Sequence, residues 1–410
     1  MTLSRRTLLA SGAAGLAAAG LGVHVAFNRQ PKVTAGRDIL IVVFLRFGSD
    51  GLTMVAPADD ANYRDLRPTI AVTTPDERGG ERAGLPIGSL DNVPFFLHPS
   101  APEIKSLFDA GNLAIVHAAG LPTNTRSHFE SQDMMERGVV EGDGPLAGGW
   151  LTRHLASRDL RLADLGVVAS AVDVQASLHG TASAVAIPDV TEFNVTGGDF
   201  NLNVIEALNA GPEGHAAGVR GTVDMIRAVR EKLKQVSAYS TSAAYPGGEF
   251  SRAMRSVANL IKMNAGLEIA TVDFGGWDHH YKMNQYFPGH AAQLSKTLAA
   301  FWADMKDYQG GLTVVTMTEF GRRLEENTAG GTDHGAASYM MVLGGAVKGG
   351  RLYGTWPGLR PADLREGDLR ITTDVRQVLA EILAKRRGEA QLAKVFPNLV
   401  ATPLGLIRDA

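Results

Sequence analysis

The chain has 410 residues, 45% of them hydrophobic and 20% charged, the composition of a globular protein able to bury a large core. Its 40 basic and 43 acidic residues leave a formal net charge of −3, so the basic footprint of a nucleic-acid or anionic-membrane binder is missing. Cysteine is absent, which excludes disulfides, thiolate metal sites and a cysteine nucleophile.

The chain opens on Ser4-Arg5-Arg6-Thr7, followed by an apolar stretch rich in Ala, Gly and Leu from Leu8 to Phe27. Paired arginines before such a stretch read as a twin-arginine export signal over residues 1–30, with the twin-arginine translocase as the partner. The expected destination is periplasmic or extracellular, without stable membrane association after cleavage. Residues 31–410 read as one domain.

Asp38–Leu45 is a continuous apolar run, expected to be a buried central strand that ends in the tight loop Arg46–Gly51. Residues 56–100 are rich in Pro, Gly and charge and read as loops. Ala101–Ala110 reads as a helix leading into a second strand, Leu113–His117, and a further helix runs to about Arg137 with Thr125 or Ser127 near its start. Residues 140–220 are mixed in character and fit a cap or insertion. Helices are expected at Thr222–Val236 and Glu249–Met263, then a strand at Glu268–Phe274, a helix at His290–Lys306 and a strand at Leu312–Met317. A fifth strand, Tyr339–Leu343, precedes a glycine-rich loop and a last helix at Thr373–Arg387. Strands alternating with helices argue for an α/β fold, a mainly parallel central sheet with helices on both faces.

The chemistry-bearing residues follow the strands. Asp50 comes after the first, Thr125, Ser127 and His128 after the second, Asp278 with His279 and His280 after the third, and Glu319 with Arg322 after the fourth. Asp333-His334 precedes the fifth. In a parallel sheet the C-terminal strand ends share one edge, so these residues can converge there. Asp, Glu and His suit a divalent ion, and Zn²⁺, Mn²⁺ or Ca²⁺ is the expected cofactor. A hydroxyl at a helix N-terminus sits among free N–H groups that favour an anion. Metal, hydroxyl and anion site together are what phosphoryl or sulfuryl transfer requires. Each residue also has a plainer reading: Asp50 as a turn residue, Ser127 as a helix cap, Glu319 as an ion-pair partner of Arg322 or Arg323.

The runs FLRFGSDGL, LHPSAPEIKSLFDAGNLAIVHAAG, RSHFESQDMMERG, GGWDHH, TMTEFGR and GTDHG, in that order, resemble the DUF1501 family of exported bacterial proteins. That family is similar to the alkaline phosphatase and sulfatase superfamily, and the resemblance implies an alkaline phosphatase-like α/β fold. It implies Asp50, Asp278, His280, Glu319 and His334 as metal ligands and Ser127, or else Thr125, as nucleophile with His128 beside it. His279, Asp333 and Arg322 are accessory candidates. The chain departs from the family at Phe47 and Ser49, where Gly and Asn are usual, and at His279, commonly Thr, which leaves either histidine of the pair open as the ligand. After Glu319 comes Phe320, so a second-site histidine is missing, which argues against a two-metal centre. A cysteine-derived formylglycine is impossible here, and no Ser-x-Pro-x-Arg run stands near Ser127. The implied activity is hydrolysis of a phosphate or sulfate ester, on a small-molecule or polymer substrate. The competing expectation is a non-catalytic exported binding or assembly protein that keeps the fold.

Overall fold

Strand β1 (Ile39–Leu45) lies at the middle of the molecule and is buried on both faces. Its alternate residues feed two different cores: Ile41, Val43 and Leu45 pack on one side, Leu40, Val42 and Phe44 on the other. That two-sided burial is why the segment reads as an unbroken apolar run. The computed structural model describes residues 38–76, 80–144, 146–158, 165–181, 183–211, 214–236 and 243–409; the export signal expected at 1–30 lies outside them.

Eight further strands complete the main sheet: β2 (Leu113–Gly120), β3 (Val167–Ala169), β4 (Ala184–Ala186), β5 (Ile269–Phe274), β6 (Leu312–Met317), β7 (Ser338–Gly344), β8 (Leu352–Tyr353) and β9 (Thr373–Asp374). The order is β8-β2-β7-β6-β1-β5-β3-β4, with β9 also paired to β2. Strand β1 is parallel to both neighbours, with Leu40 opposite Ile269 on one side and Thr313 on the other. Among the described residues of this sheet, only β7 runs against its neighbours. Its N-terminal end therefore lies at the edge where β1, β5 and β6 finish, which brings the preceding His334 to that edge.

Helices cover both faces. Pro102–Asp109, Glu249–Lys262 and Met283–Asp304 pack on the Ile41 side, and His128–Arg137, Trp150–Ser157 and Val375–Arg387 on the Leu40 side. In Glu249–Lys262, Phe250, Met254, Val257 and Ile261 recur at helical spacing and form the buried stripe. Among the described residues, no helix is long and apolar enough to cross a membrane.

Three segments differ from the sequence reading. Residues 56–100 are not all loop: Val55–Ala56, Leu85–Leu90 and Val93–Leu97 form a small antiparallel sheet, in which Leu85–Leu90 is half exposed and the apolar run of Val93–Leu97 is only five residues long and contains Pro94. The helix expected to begin at His290 begins at Met283 and runs through Pro288, whose usual helix-breaking effect misplaces the boundary. Within 140–220, the stretch read as a cap or insertion, β3 and β4 form one margin of the main sheet.

Candidate metal centre

The loop after β5 turns at Gly276, whose φ is +89°; a Cβ there would meet His290 Nε2 at 2.5 Å, so the turn requires glycine. The turn delivers Asp278 and His280. A hairpin after β6 pairs Arg322–Glu326 with Thr332–His334 and sets Arg322 directly opposite His334. His128 is the first residue of the helix that follows β2. Four elements thus carry their side chains to one sheet edge.

There, three imidazole nitrogens surround one carboxylate oxygen. Asp278 Oδ1 lies 3.1 Å from His280 Nε2, 3.4 Å from His128 Nε2 and 3.5 Å from His334 Nε2. Ligand atoms of His128, Asp278 and His334 all lie within 4.8 Å of one another, the spacing of a metal-binding group. His280 Nε2 adds a fourth donor, 2.9 Å from His334 Nε2.

Each ring is held from behind. His128 Nδ1 is 2.8 Å from Glu319 Oε1, His280 Nδ1 is 3.1 Å from Asp333 Oδ1, and His334 Nδ1 is 2.7 Å from the Arg126 carbonyl oxygen. Carbonyl and ionised carboxylate oxygens only accept, so each Nδ1 carries a proton, and in the neutral ring the Nε2 lone pair then faces inward, available to a cation. This is the outer arrangement that orients histidine ligands on a metal. The donor set therefore fits a divalent ion.

The charges agree with that fit. Burial works to raise the Asp278 carboxyl, but the hydrogen bond and charge of Arg322 hold it below the ordinary value. Arg322 Nη2 donates to Asp278 Oδ1 at 2.6 Å. Burial also works to raise Glu319, and the His128 and Gln132 hydrogen bonds outweigh it and hold the carboxyl low. The Asn327 hydrogen bond holds Asp333 low, against its partial burial and with help from His280. Burial pushes His334 below its usual value, so it resists protonation.

Several expected ligands stand elsewhere. Asp50 does not reach the cluster: it is buried, its Oδ1 caps the short helix Gly51–Met54 through Thr53 N, and its Oδ2 accepts from Arg67 Nη1 at 2.8 Å. A guanidinium satisfies the carboxylate that the resemblance assigned to a metal. Glu319 is behind His128 rather than beside the ion position: its Oε1 accepts from His128, from Gln132 Nε2 at 2.9 Å and from Phe47 N at 2.9 Å. It does not pair with Arg322, which reaches Asp278 instead. Of the adjacent histidines, His280 faces the centre, while His279 is buried among Trp277, Phe287 and His290, and burial lowers it to about 4. His128, expected beside the nucleophile, is one of the converging rings. Ser127 Oγ caps its helix by accepting from Glu130 N. Thr125 lines a neighbouring cavity of about 230 Å³ together with Arg126, Arg365 and Asp368.

The sequence reading missed Gln132, Asn327 and the Arg126 carbonyl. Gln132 had a usable signal, since it follows His128 by four residues on a helix and grips the same Glu319 oxygen. Nothing in the sequence marks a backbone carbonyl as a histidine's partner.

Fold and site together define an α/β protein, with a mainly parallel sheet, that carries a histidine–aspartate cluster suited to a divalent ion. The family model described as "Protein of unknown function (DUF1501)" matches residues 220–386, a stretch that contains Asp278, His280, Glu319 and His334. The resemblance drawn from the motifs holds over that stretch. No curated protein matches the chain. Among solved structures, Ps i-CgsB in complex with k-i-k-neocarrahexaose is 9% identical, with a TM-score of 0.38 over 88% of this chain and 74% of that chain. The PsFucS1 sulfatase from Pseudoalteromonas sp. is 12% identical, with a TM-score of 0.35 over 91% of this chain and 73% of that chain. Scores this low leave the functional reading to the site itself.

Proposed function

We propose that this protein is a metal-dependent hydrolase of phosphate or sulfate esters, of alkaline phosphatase-like type, exported folded by the twin-arginine route to act outside the cytoplasmic membrane. The observation that supports it is the convergence of three Nε2 atoms on Asp278 Oδ1, each ring backed at Nδ1 by an acceptor. Three nitrogens and one carboxylate oxygen suit Zn²⁺ or Mn²⁺ and do not suit Ca²⁺, which takes oxygen ligands. A bound ion supplies Lewis-acid stabilisation for the charge that builds on the transferred group.

Of the two hydroxyls, Thr125 is the better placed nucleophile. It lines the cavity, and its Oγ1 donates to Glu130 Oε2 at 2.5 Å, so a base already holds its proton. As Oγ1 attacks phosphorus or sulfur, that proton passes to Glu130 and the bond to the alcohol oxygen breaks. The departing alkoxide takes a proton from solvent, and water later releases the group from the threonine. Arg126 and Arg365 are the cationic groups of the same cavity, which Glu319, Glu366 and Asp368 also line; Arg126 pairs with Asp368 at 2.5 Å and with Glu366 at 3.7 Å, so an anionic ester competes with those carboxylates for it.

A non-catalytic binding protein is the second reading. It is favoured by the engagement of Ser127 Oγ, the other candidate hydroxyl, in capping its helix. Elemental analysis of protein purified without a metal-affinity tag tests the first reading, with Asp278→Ala/His280→Ala as the control. The expected result is about one equivalent of Zn or Mn, absent from the double variant, with turnover of p-nitrophenyl phosphate or sulfate. Metal retained by the double variant would sink the site, and metal bound without any turnover would leave the binding-protein reading.

A further inference from the structure

We propose that Phe47 is a specificity-determining residue that selects esters whose organic group carries a flat ring, by stacking against that ring beside the metal centre. The inference rests on the hydrolase reading above. Phe47 follows β1 in a left-handed backbone conformation, φ +80°, which glycine adopts freely and a phenylalanine adopts only with strain.

The surroundings hold it there from both sides. Phe47 N donates to Glu319 Oε1 at 2.9 Å, while Arg322 Nη2 donates to the Phe47 carbonyl at 2.6 Å and Arg322 Nε to the Gly48 carbonyl at 2.7 Å. Two residues that also hold the metal centre, Glu319 behind His128 and Arg322 on Asp278, thus fix the strained turn. A strained conformation fixed this firmly next to reactive groups marks a functional position.

Core filling does not explain the ring, which is 38% exposed. It stands edge-on to His128, with ring centroids 5.4 Å apart and an interplanar angle of 77°, and so borders the centre. Further exposed rings stand nearby in the chain. Phe129 directly follows His128 and is 85% exposed, and Tyr281 directly follows His280, with its ring 5.6 Å from Tyr286. An exposed aromatic face beside a polar centre, as Phe47 is beside His128, gains stacking and dispersion energy from a ring and much less from a short alkyl chain.

The test compares two anions that carry a P–C bond in place of the ester bond, phenylphosphonate and methylphosphonate, binding to the Zn²⁺-loaded protein by calorimetry. The wild type is expected to bind phenylphosphonate roughly threefold to tenfold more tightly. In Phe47→Gly, which relaxes the turn, and in Phe47→Leu, which keeps the bulk without the aromatic face, that preference disappears; Phe47→Tyr restores it. Thermal melts confirm that each variant is folded. Equal binding of the two anions by the wild type, or an undiminished preference in folded Phe47→Gly, overturns the inference and leaves the hydrolase reading standing. A wild type that binds Zn²⁺ but neither anion overturns both.

Discussion

His280 Nε2 lies 2.9 Å from His334 Nε2, and neither ring has its Nδ1 proton to spare for the other. One Nδ1 faces Asp333 and the other the Arg126 carbonyl, so two lone pairs meet at hydrogen-bond distance beside the Asp278 carboxylate. A cation among these atoms reconciles them, and burial disfavours the alternative of a protonated His334.

Glu319 acts on the centre through His128, and Glu319→Gln separates that role from direct ligation. The variant keeps an acceptor oxygen but removes the charge that orients and polarises the ring. Metal affinity is expected to fall about 10- to 100-fold, as for other groups that position histidine ligands, with saturating metal still restoring full occupancy. Competition against a chelator measures this. Loss of stoichiometry at saturating metal would show that Glu319 is itself a ligand.

Asp50→Asn separates a structural carboxylate from a metal ligand. Asp50 and Arg67 are both fully buried, and Arg67 also donates to the Leu324 and Arg323 carbonyls, tying the first loop to the hairpin that bears His334. Removing the carboxylate charge leaves a buried guanidinium uncompensated. The expected loss of stability is about 3–5 kcal/mol by urea unfolding, with the metal content of the folded protein unchanged. A fall in metal content without a fall in stability would return Asp50 to the ligand set.

These contrasts show which parts of the molecule were legible in the sequence. The strands were, because β1, β5 and β6 are buried on both faces and so appear as continuous apolar runs. Asp278, His280 and His334 stood out as ligand-type residues in loops at strand ends, and the structure brings those three together. Asp50 and Glu319 looked equivalent to them, but a carboxylate's role depends on what faces it. Arg67, 17 residues beyond Asp50, and His128, 191 residues before Glu319, decide those cases, and no local pattern links the members of either pair. The antiparallel course of β7 was also hidden, since burial on both faces gives the same apolar run in either direction.

The two hydroxyls near the helix start part in their expected effects. Ser127→Ala removes an N-cap and is expected to cost about 1 kcal/mol of stability while turnover persists. Thr125→Ala is expected to abolish turnover of p-nitrophenyl phosphate or sulfate with little change in stability, since its side chain lines the cavity and caps no helix. Turnover lost in Ser127→Ala and kept in Thr125→Ala would exchange the assignments.

Away from the centre, His98 and His117 are expected to make the fold sensitive to mild acid. Each accepts a backbone N–H at Nδ1, from Ser100 and Ala118 respectively, so protonating that nitrogen breaks a buried hydrogen bond. Burial pushes both to about 4, from 6.5 in the unfolded chain. Between those values the unfolded chain carries protons that the native state does not, so stability rises with pH across the window and is lost as pH falls. The upper bound on the loss from pH 7 to pH 5 is about 2 kcal/mol for each histidine. Most carboxylates titrate below pH 5, so this loss precedes ordinary acid denaturation. Urea midpoints of metal-free protein at pH 7 and pH 5 measure it. Equal midpoints would mean that the two rings take up protons in the native state, and that the region around Val55 and Phe287, on which they pack, opens more readily than its burial implies.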